Sequence, residues 1–202
     1  MLFQRFECIV CVVTVCSQKL RFLLRKKGVC SPLPVVRENF LEKLAESYSY
    51  YYDVVHGDAG SGLPLIFMAD FHARDEGYVL IKKAKIWAAE SNEYVYLFSL
   101  PVLDRETAVR CMDYALEDAL PRIKPHREHK DSYIIAVFVA DVIQPEAEKA
   151  VRSRKYEKSF KFGLEGWSAL KTAAVELGKG VVVTNRAGSN LLKFFRKLLR
   201  SE

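Results

Sequence analysis

Little in this chain announces chemistry outright. Past residue 36 it has one cysteine, Cys111. A lone thiol makes no intramolecular bridge, so a disulfide-stapled scaffold is excluded and a reducing, cytoplasmic setting is expected. There is no glycine-rich phosphate loop, nucleophile elbow, dinucleotide fingerprint or zincin helix. Gly178-Lys179-Gly180 comes nearest to a phosphate loop, but no Ser or Thr follows to open a helix, and it reads as a hairpin turn. Low-complexity tracts, Gly/Ser linkers and repeats of about 20 to 50 residues are missing too, which argues against tandem arrays. Net charge is also scarce. Of the 31 basic and 25 acidic residues, six and one fall in residues 1–36, so the formal +6 of the whole chain falls to +1 over the rest. A nearly neutral body does not favour nucleic acid as a partner.

Residues 1–35 read differently from everything after them. They hold Cys8, Cys11, Cys16 and Cys30, an apolar stretch from Cys8 to Cys16, a basic stretch from Lys19 to Lys27, and Ser31-Pro32-Leu33-Pro34. Four readings compete for this leader. A transmembrane span needs about 20 apolar residues, and Ser17-Gln18-Lys19 interrupts too early. A secretory signal has its cationic start and apolar middle here but lacks the small residues before a cleavage point. Cys8-x-x-Cys11 has zinc spacing without a second pair. The reading ranked first is translation upstream of the true start, with Val36 as the natural first residue. The expected domain is residues 36–202, and membrane attachment is expected only if the leader is retained.

The body is long enough for one core. Phe40, Leu41, Leu44, Tyr48, Tyr51, Tyr52 and Val55 recur at helical spacing and predict a helix ending at His56-Gly57. Leu65 to Arg74, Tyr78 to Trp87 and Glu93 to Leu100 predict a three-stranded antiparallel meander, with turns at Asp75-Glu76-Gly77 and Ser91-Asn92. A helix capped by Asp104 and closed by Pro121 follows. Tyr133 to Ala140, apolar throughout, reads as a strand buried on both faces. Glu146 to Arg154 is a short helix, Tyr156 to Gly163, Trp167 to Leu177 and Val181 to Asn185 are further strands, and Leu191 onward is a terminal amphipathic helix. The fold class expected is α+β: N-terminal helix, meander, helix, buried strand, further strands and a C-terminal helix.

Four stretches carry a resemblance: Tyr78 to Glu90, Lys124-Pro-His-Arg-Glu-His129, Tyr156 to Gly163 with Gly166-Trp167, and Val183-Thr-Asn-Arg-Ala-Gly188. They resemble a family of small, uncharacterised bacterial proteins catalogued as a domain of unknown function, over roughly residues 37–200. The resemblance implies a domain boundary; it brings no activity, cofactor or partner.

Two constellations are candidates for chemistry. If Asp75-Glu76 is a two-residue turn, Asp70 lies opposite Ile81 and diagonal to Lys83, so Asp70, His72, Lys83 and Lys85 share one sheet face. That face suits a phosphate or metal; a cross-strand ion pair is the plainer alternative. The second is an anion-binding patch of His126, Arg127 and His129 among Arg122, Lys124 and Lys130. His126-x-x-His129 has metal-ligand spacing, yet the prolines and cations around it favour solvated loop histidines, so no metal site is assigned. The helix, strands, helix, strand order also matches the core of PD-(D/E)xK nucleases. However, no acid-x-lysine lies on the meander strands, and the only match in the body, Glu128-His129-Lys130, sits in a proline-flanked loop. The expected function is therefore a non-catalytic, cytoplasmic interaction or small-ligand-binding module, its protein or small-molecule ligand and its cofactor unknown. A divalent-metal nuclease-like phosphodiesterase using Asp70, or a degenerate relative, is the alternative, and leader-anchored membrane attachment is a third.

Overall fold

The computed structural model describes residues 37–57, 62–78 and 85–200, with side chains described outside 75–88. The elements are α1 (Arg37–Ser49), β1 (Asp53–His56), β2 (Leu65–Tyr78), β3 (Lys85–Leu103), α2 (Arg105–Ala119), β4 (His129–Ile143), α3 (Pro145–Ser153), β5 (Glu157–Ser159), β6 (Trp167–Glu176), β7 (Val181–Thr184) and α4 (Leu191–Arg200). All seven strands form one mixed sheet in the order β1-β2-β3-β4-β6-β5, with β7 also on β6. The class is α+β.

β1, β2 and β3 form an antiparallel meander, but not of the three strands expected: Leu65 to Arg74 lies in β2, Glu93 to Leu100 lies in β3, and the third strand is β1. β3, β4 and β6 are parallel neighbours, so each connection between them must cross over the sheet. Parallel crossovers share one hand, which puts both connecting helices on the same face. Here α2 and α3 lie together on Tyr96, Phe98, Ile134, Phe138 and Leu170. α2 turns Ala108, Cys111, Met112, Ala115 and Ala119 inward, small residues that allow close approach to the sheet. Asp104 caps it by accepting from Thr107 N at 2.9 Å, and those hydrogen bonds hold the Asp104 carboxyl below its usual value. Burial pushes the Cys111 thiol up to about 12. On the opposite face, α1 buries Phe40, Leu44 and Tyr48, and α4 buries Leu191, Phe194, Phe195 and Leu198, against Phe67, Val95, Leu97, Ile135, Val137 and Val139. β4, central and covered on both sides, is the continuous apolar run the sequence contains.

Three further expectations are corrected. The first helix stops at Ser49; Tyr52 N donates to Tyr48 O, and Val54 and Val55 go into β1, paired with Ala69 and Met68. Sheet pairing outweighs helical spacing for these β-branched residues. Neither Asp75-Glu76-Gly77 nor Ser91-Asn92 is a turn: β2 and β3 run through them, with Asp75 opposite Ala89, Gly77 opposite Trp87, and Ser91 and Asn92 opposite Ala73 and His72. Beyond the three residues of β5, Tyr156 to Gly163 is no strand, because Lys161 and Phe162 have φ of 44° and 58° and the chain curls into a 3-10 turn.

Two glycines in the stretches quoted above are required by space. A Cβ on Gly166, at φ 79°, would meet His129 Nδ1 and the His129 and Lys130 carbonyls at 2.6 Å, and one on Gly188 would meet Thr172 O at 2.8 Å. Asn185 uses its whole hydrogen-bonding capacity. Its Oδ1 accepts from Thr172 N at 3.1 Å and Gly188 N at 2.8 Å, while Nδ2 donates to Leu170 O at 2.9 Å and Arg154 O at 3.0 Å. That side chain ties β6, the loop after β7 and the end of α3 together.

Candidate functional site

The corrected register moves the first predicted site. Asp70 lies opposite Tyr94, with Asp53 on its other side, and not opposite Ile81. Its carboxylate accepts from Arg122 Nη2. Arg122 also reaches Asp118 Oδ2 at 3.2 Å, and its guanidinium lies 4.7 Å from the Tyr94 ring centroid. Asp118 Oδ2 in turn accepts from Tyr96 OH at 2.6 Å. Burial lowers the Arg122 value and is the first cause raising the Tyr96 phenol, ahead of its bond to Asp118. Lys83 lies outside the described residues, as does the side chain of Lys85, so their part in this face is not placed.

His72 belongs to the next row of the same face. Hydrogen-bond capacity fixes the direction of three of the four links there, because a carbonyl accepts only. His129 Nδ1–H donates to Glu165 O at 2.7 Å, and its Nε2 is hydrogen-bonded to Ser132 Oγ at 2.8 Å. Ser132 Oγ accepts from Asn92 Nδ2 at 3.3 Å, and Asn92 Oδ1 accepts from His72 Nδ1–H at 2.7 Å. Four side chains form one relay into a backbone carbonyl.

The second predicted patch is divided. His129 is no solvated loop residue: it opens β4 and is 4% exposed. His126 Nε2 bonds Glu90 Oε2 at 2.9 Å, and Arg74 bridges Glu90 and Glu128. Arg122 is drawn away to Asp70. Arg127 is exposed and makes no hydrogen bond or ion pair among the described residues. The spacing of His126 and His129 was read as loop because of Pro121 and Pro125, whereas strand pairing with β3 captures His129. Among the described residues, no group of three or more His, Cys, Asp or Glu is placed to hold a metal ion.

The opposite face, at the same end of the sheet, is built differently. The register sets Glu93 beside Tyr133, Asp131 beside Trp167 and Lys171 beside Ile135. Tyr133 meets Trp167 edge-on at 5.2 Å. Lys171 is 5% exposed; its ammonium lies 3.2 Å from the Tyr133 ring centroid, and it makes no hydrogen bond or ion pair among the described residues. Asp131, also 5% exposed, has Oδ2 3.9 Å from Lys130 Nζ, while its buried Oδ1 has no hydrogen-bond partner among those residues. Burial lowers the Lys171 value; the Glu93 and then the Asp131 charges oppose it without cancelling it. Burial, then those same two carboxylates, pushes the Tyr133 phenol up to about 12. Glu93 Oε2 accepts from Tyr52 OH at 2.5 Å. Behind it a cavity of about 10 Å³, lined by Tyr48, Tyr52, Glu93 and Phe194 among others, has room for one water at most. Trp167, beside Asp131 in the register, is more exposed than Glu93, Asp131, Tyr133 and Lys171, at 38%.

None of these residues stood out in the sequence as a site. A signal was present: Lys171 is the one charged residue inside the apolar stretch Ser168 to Val175, and a lone charge in a strand covered on both faces needs a reason.

A mixed sheet with helices on both faces and a cluster of buried ionisable groups at one end defines an α+β domain with a candidate binding site. A family model described as Domain of unknown function (DUF8052) matches residues 36–197. The chain belongs to that family. No curated protein and no solved structure matches it. Among the described residues no helix is long and apolar enough to cross a membrane.

Proposed function

We propose that this domain is a non-catalytic binding module that takes a small polar ligand at the Glu93, Asp131, Tyr133, Trp167 and Lys171 end of the sheet. One observation carries the reading: an ammonium and a carboxylate oxygen are buried on one face of the sheet, about Tyr133, without the hydrogen bonds that such burial demands. An unmet neutral hydrogen-bonding group costs about 1–3 kcal/mol, and a charged one costs more. A ligand that offers an acceptor to Lys171 and a donor to Asp131 relieves both, while Trp167 gives it a flat apolar edge. Lys130 and Lys171 balance Glu93 and Asp131, which favours a ligand of little net charge such as a polyol or an amino acid.

The Asp70 face has less support as a binding or phosphodiesterase centre, because Arg122 already occupies the carboxylate a metal ion would need. The proposal keeps the module in the cytoplasm, where Cys111 stays a buried thiol. The test is thermal unfolding of the full chain across a panel of polyols, amines and amino acids, with wild type, Lys171→Met and Asp131→Asn in parallel. A ligand at a hundred times its dissociation constant stabilises by about 2.7 kcal/mol. The expected result is a compound that stabilises wild type and neither variant. Equal stabilisation of all three would refute the site.

A further inference from the structure

A second cleft lies away from this cluster, along the outer seam between α2 and α3. It has a volume of about 660 Å³ and is lined by Arg105, Val109 and Met112 from α2 and by Glu146, Lys149, Ala150, Ser153, Arg154 and Lys155 from α3 and its end. That volume is in the range of small-molecule sites. Four of the nine lining residues are cations and one is an acid. Arg105, Lys149 and Lys155 are exposed and form no ion pair among the described residues, while Arg154 is held by Asp113 through Nη2 and keeps a buried Nε without a partner. Asp104 and Glu106, at the start of α2, are the other acids near the Arg105 end. Asp104 is turned back to cap its helix.

The wall is also rigid where it matters. Asn185 Nδ2 holds Arg154 O at 3.0 Å, Thr172 Oγ1 holds Val151 O at 2.9 Å, and Arg154 N closes onto Ala150 O at 3.0 Å. Buried side chains of the sheet thus fix the last turn of α3 and with it the place of Arg154. Between the cations lies an apolar floor of the half-buried Val109 and Ala150, with Met112 buried beneath.

We infer that this groove binds a small organic anion: a molecule with an apolar body seated on Val109 and Ala150 and a phosphate, sulfonate or carboxylate group held by Lys149 with Arg105. Guanidinium and ammonium groups without carboxylate partners attract such a group, and the apolar floor discriminates against a bare inorganic ion. This site is independent of the Lys171 cluster, and neither reading depends on the other.

Anilinonaphthalene sulfonate, a fluorescent anion of this kind, is the probe. The full chain should bind it saturably at one site, with inorganic phosphate competing only weakly. Lys149→Glu changes an exposed side chain and should weaken binding by at least about fivefold, with the circular dichroism spectrum unchanged. Lys193→Glu makes the same charge change on α4, across the sheet, and should leave the affinity as it was. Absence of saturable binding would overturn the assignment. So would equal weakening by both variants, which would reduce the effect to overall charge, or equal affinity for inorganic phosphate, which would remove any role for the apolar floor.

Discussion

Two polar clusters stand back to back at one end of the sheet, built by alternate residues of the same strands. On the α2 side, Asp70, Arg122, Asp118 and Tyr96 close on one another, and His72, Asn92, Ser132 and His129 are linked by hydrogen bonds through to Glu165 O. On the α1 side, Lys171 and Asp131 are more deeply buried than most of those residues and are left short of partners. The α2 side does contain orphans, Ser168 Oγ and, at the end of α3, Arg154 Nε, but the first is a neutral hydroxyl and the Arg154 guanidinium is met by Asp113 through Nη2. The contrast separates polar groups that hold the fold from polar groups the fold merely tolerates. The second kind is where a ligand gains most.

That contrast can be broken by measurement. The largest effect is expected on the closed side, from Asn185→Ala: four hydrogen bonds in a buried setting are lost, and urea unfolding should show a cost of about 3 kcal/mol or more. A cost below about 1 kcal/mol would mean that water replaces the side chain and that the closed side is less closed than its hydrogen bonds imply. Next, His129→Ala interrupts the relay and leaves Ser132 and Glu165 O unmet, for about 2 kcal/mol. Asp70→Asn keeps the shape but removes the charge facing Arg122. At a partly exposed pair it should cost about 1 kcal/mol or less, and manganese or magnesium should not change the melting temperature of either form. Metal stabilisation lost in this variant would transfer the site to the Asp70 face.

The smallest effect is in the pH dependence of stability. The folded value of Lys171 is lowered, so between it and the unfolded value of about 10.4 the unfolded chain binds more protons, and stability rises with pH. Tyr133 is raised, so above about pH 10 the folded chain binds more protons and stability falls again. The raised Cys111 thiol also lowers stability with rising pH, from about 8.5 upward, so the Lys171 contribution is read as the difference between the two profiles, with Lys171→Met lacking the gain. A variant with an unchanged profile would mean that Lys171 is not the group responsible.

How much of this was legible depends on the range of the interaction. α2 could be read from Asp104, its inward small residues and Pro121, all local. β4 could be read from its unbroken apolar run. The β2–β3 register could not, because Asp75-Glu76-Gly77 has turn chemistry and only pairing with residues 87–89 shows that the strand continues. That one error placed Asp70 against Ile81 and Lys83 instead of Tyr94 and Arg122. Lys171 and Asp131 lie forty residues apart in sequence, and a parallel crossover through α3 brings them together; no local pattern marks that. In the stretches that carry the resemblance, Gly166, Asn185 and Gly188 hold neighbouring backbone segments together and so signal a fold, and Trp167 is the one residue of those stretches that belongs to the candidate site.

The most direct test of the open side is the urea unfolding of Lys171→Met against wild type at neutral pH. If Lys171 is tolerated for a ligand, replacing it with an apolar side chain of similar length should leave the free protein at least as stable, with a gain of about 1 kcal/mol expected. A loss of about 2 kcal/mol or more would show that Tyr133, Glu93 and Asp131 already satisfy the ammonium, and the open side would then be a second structural network.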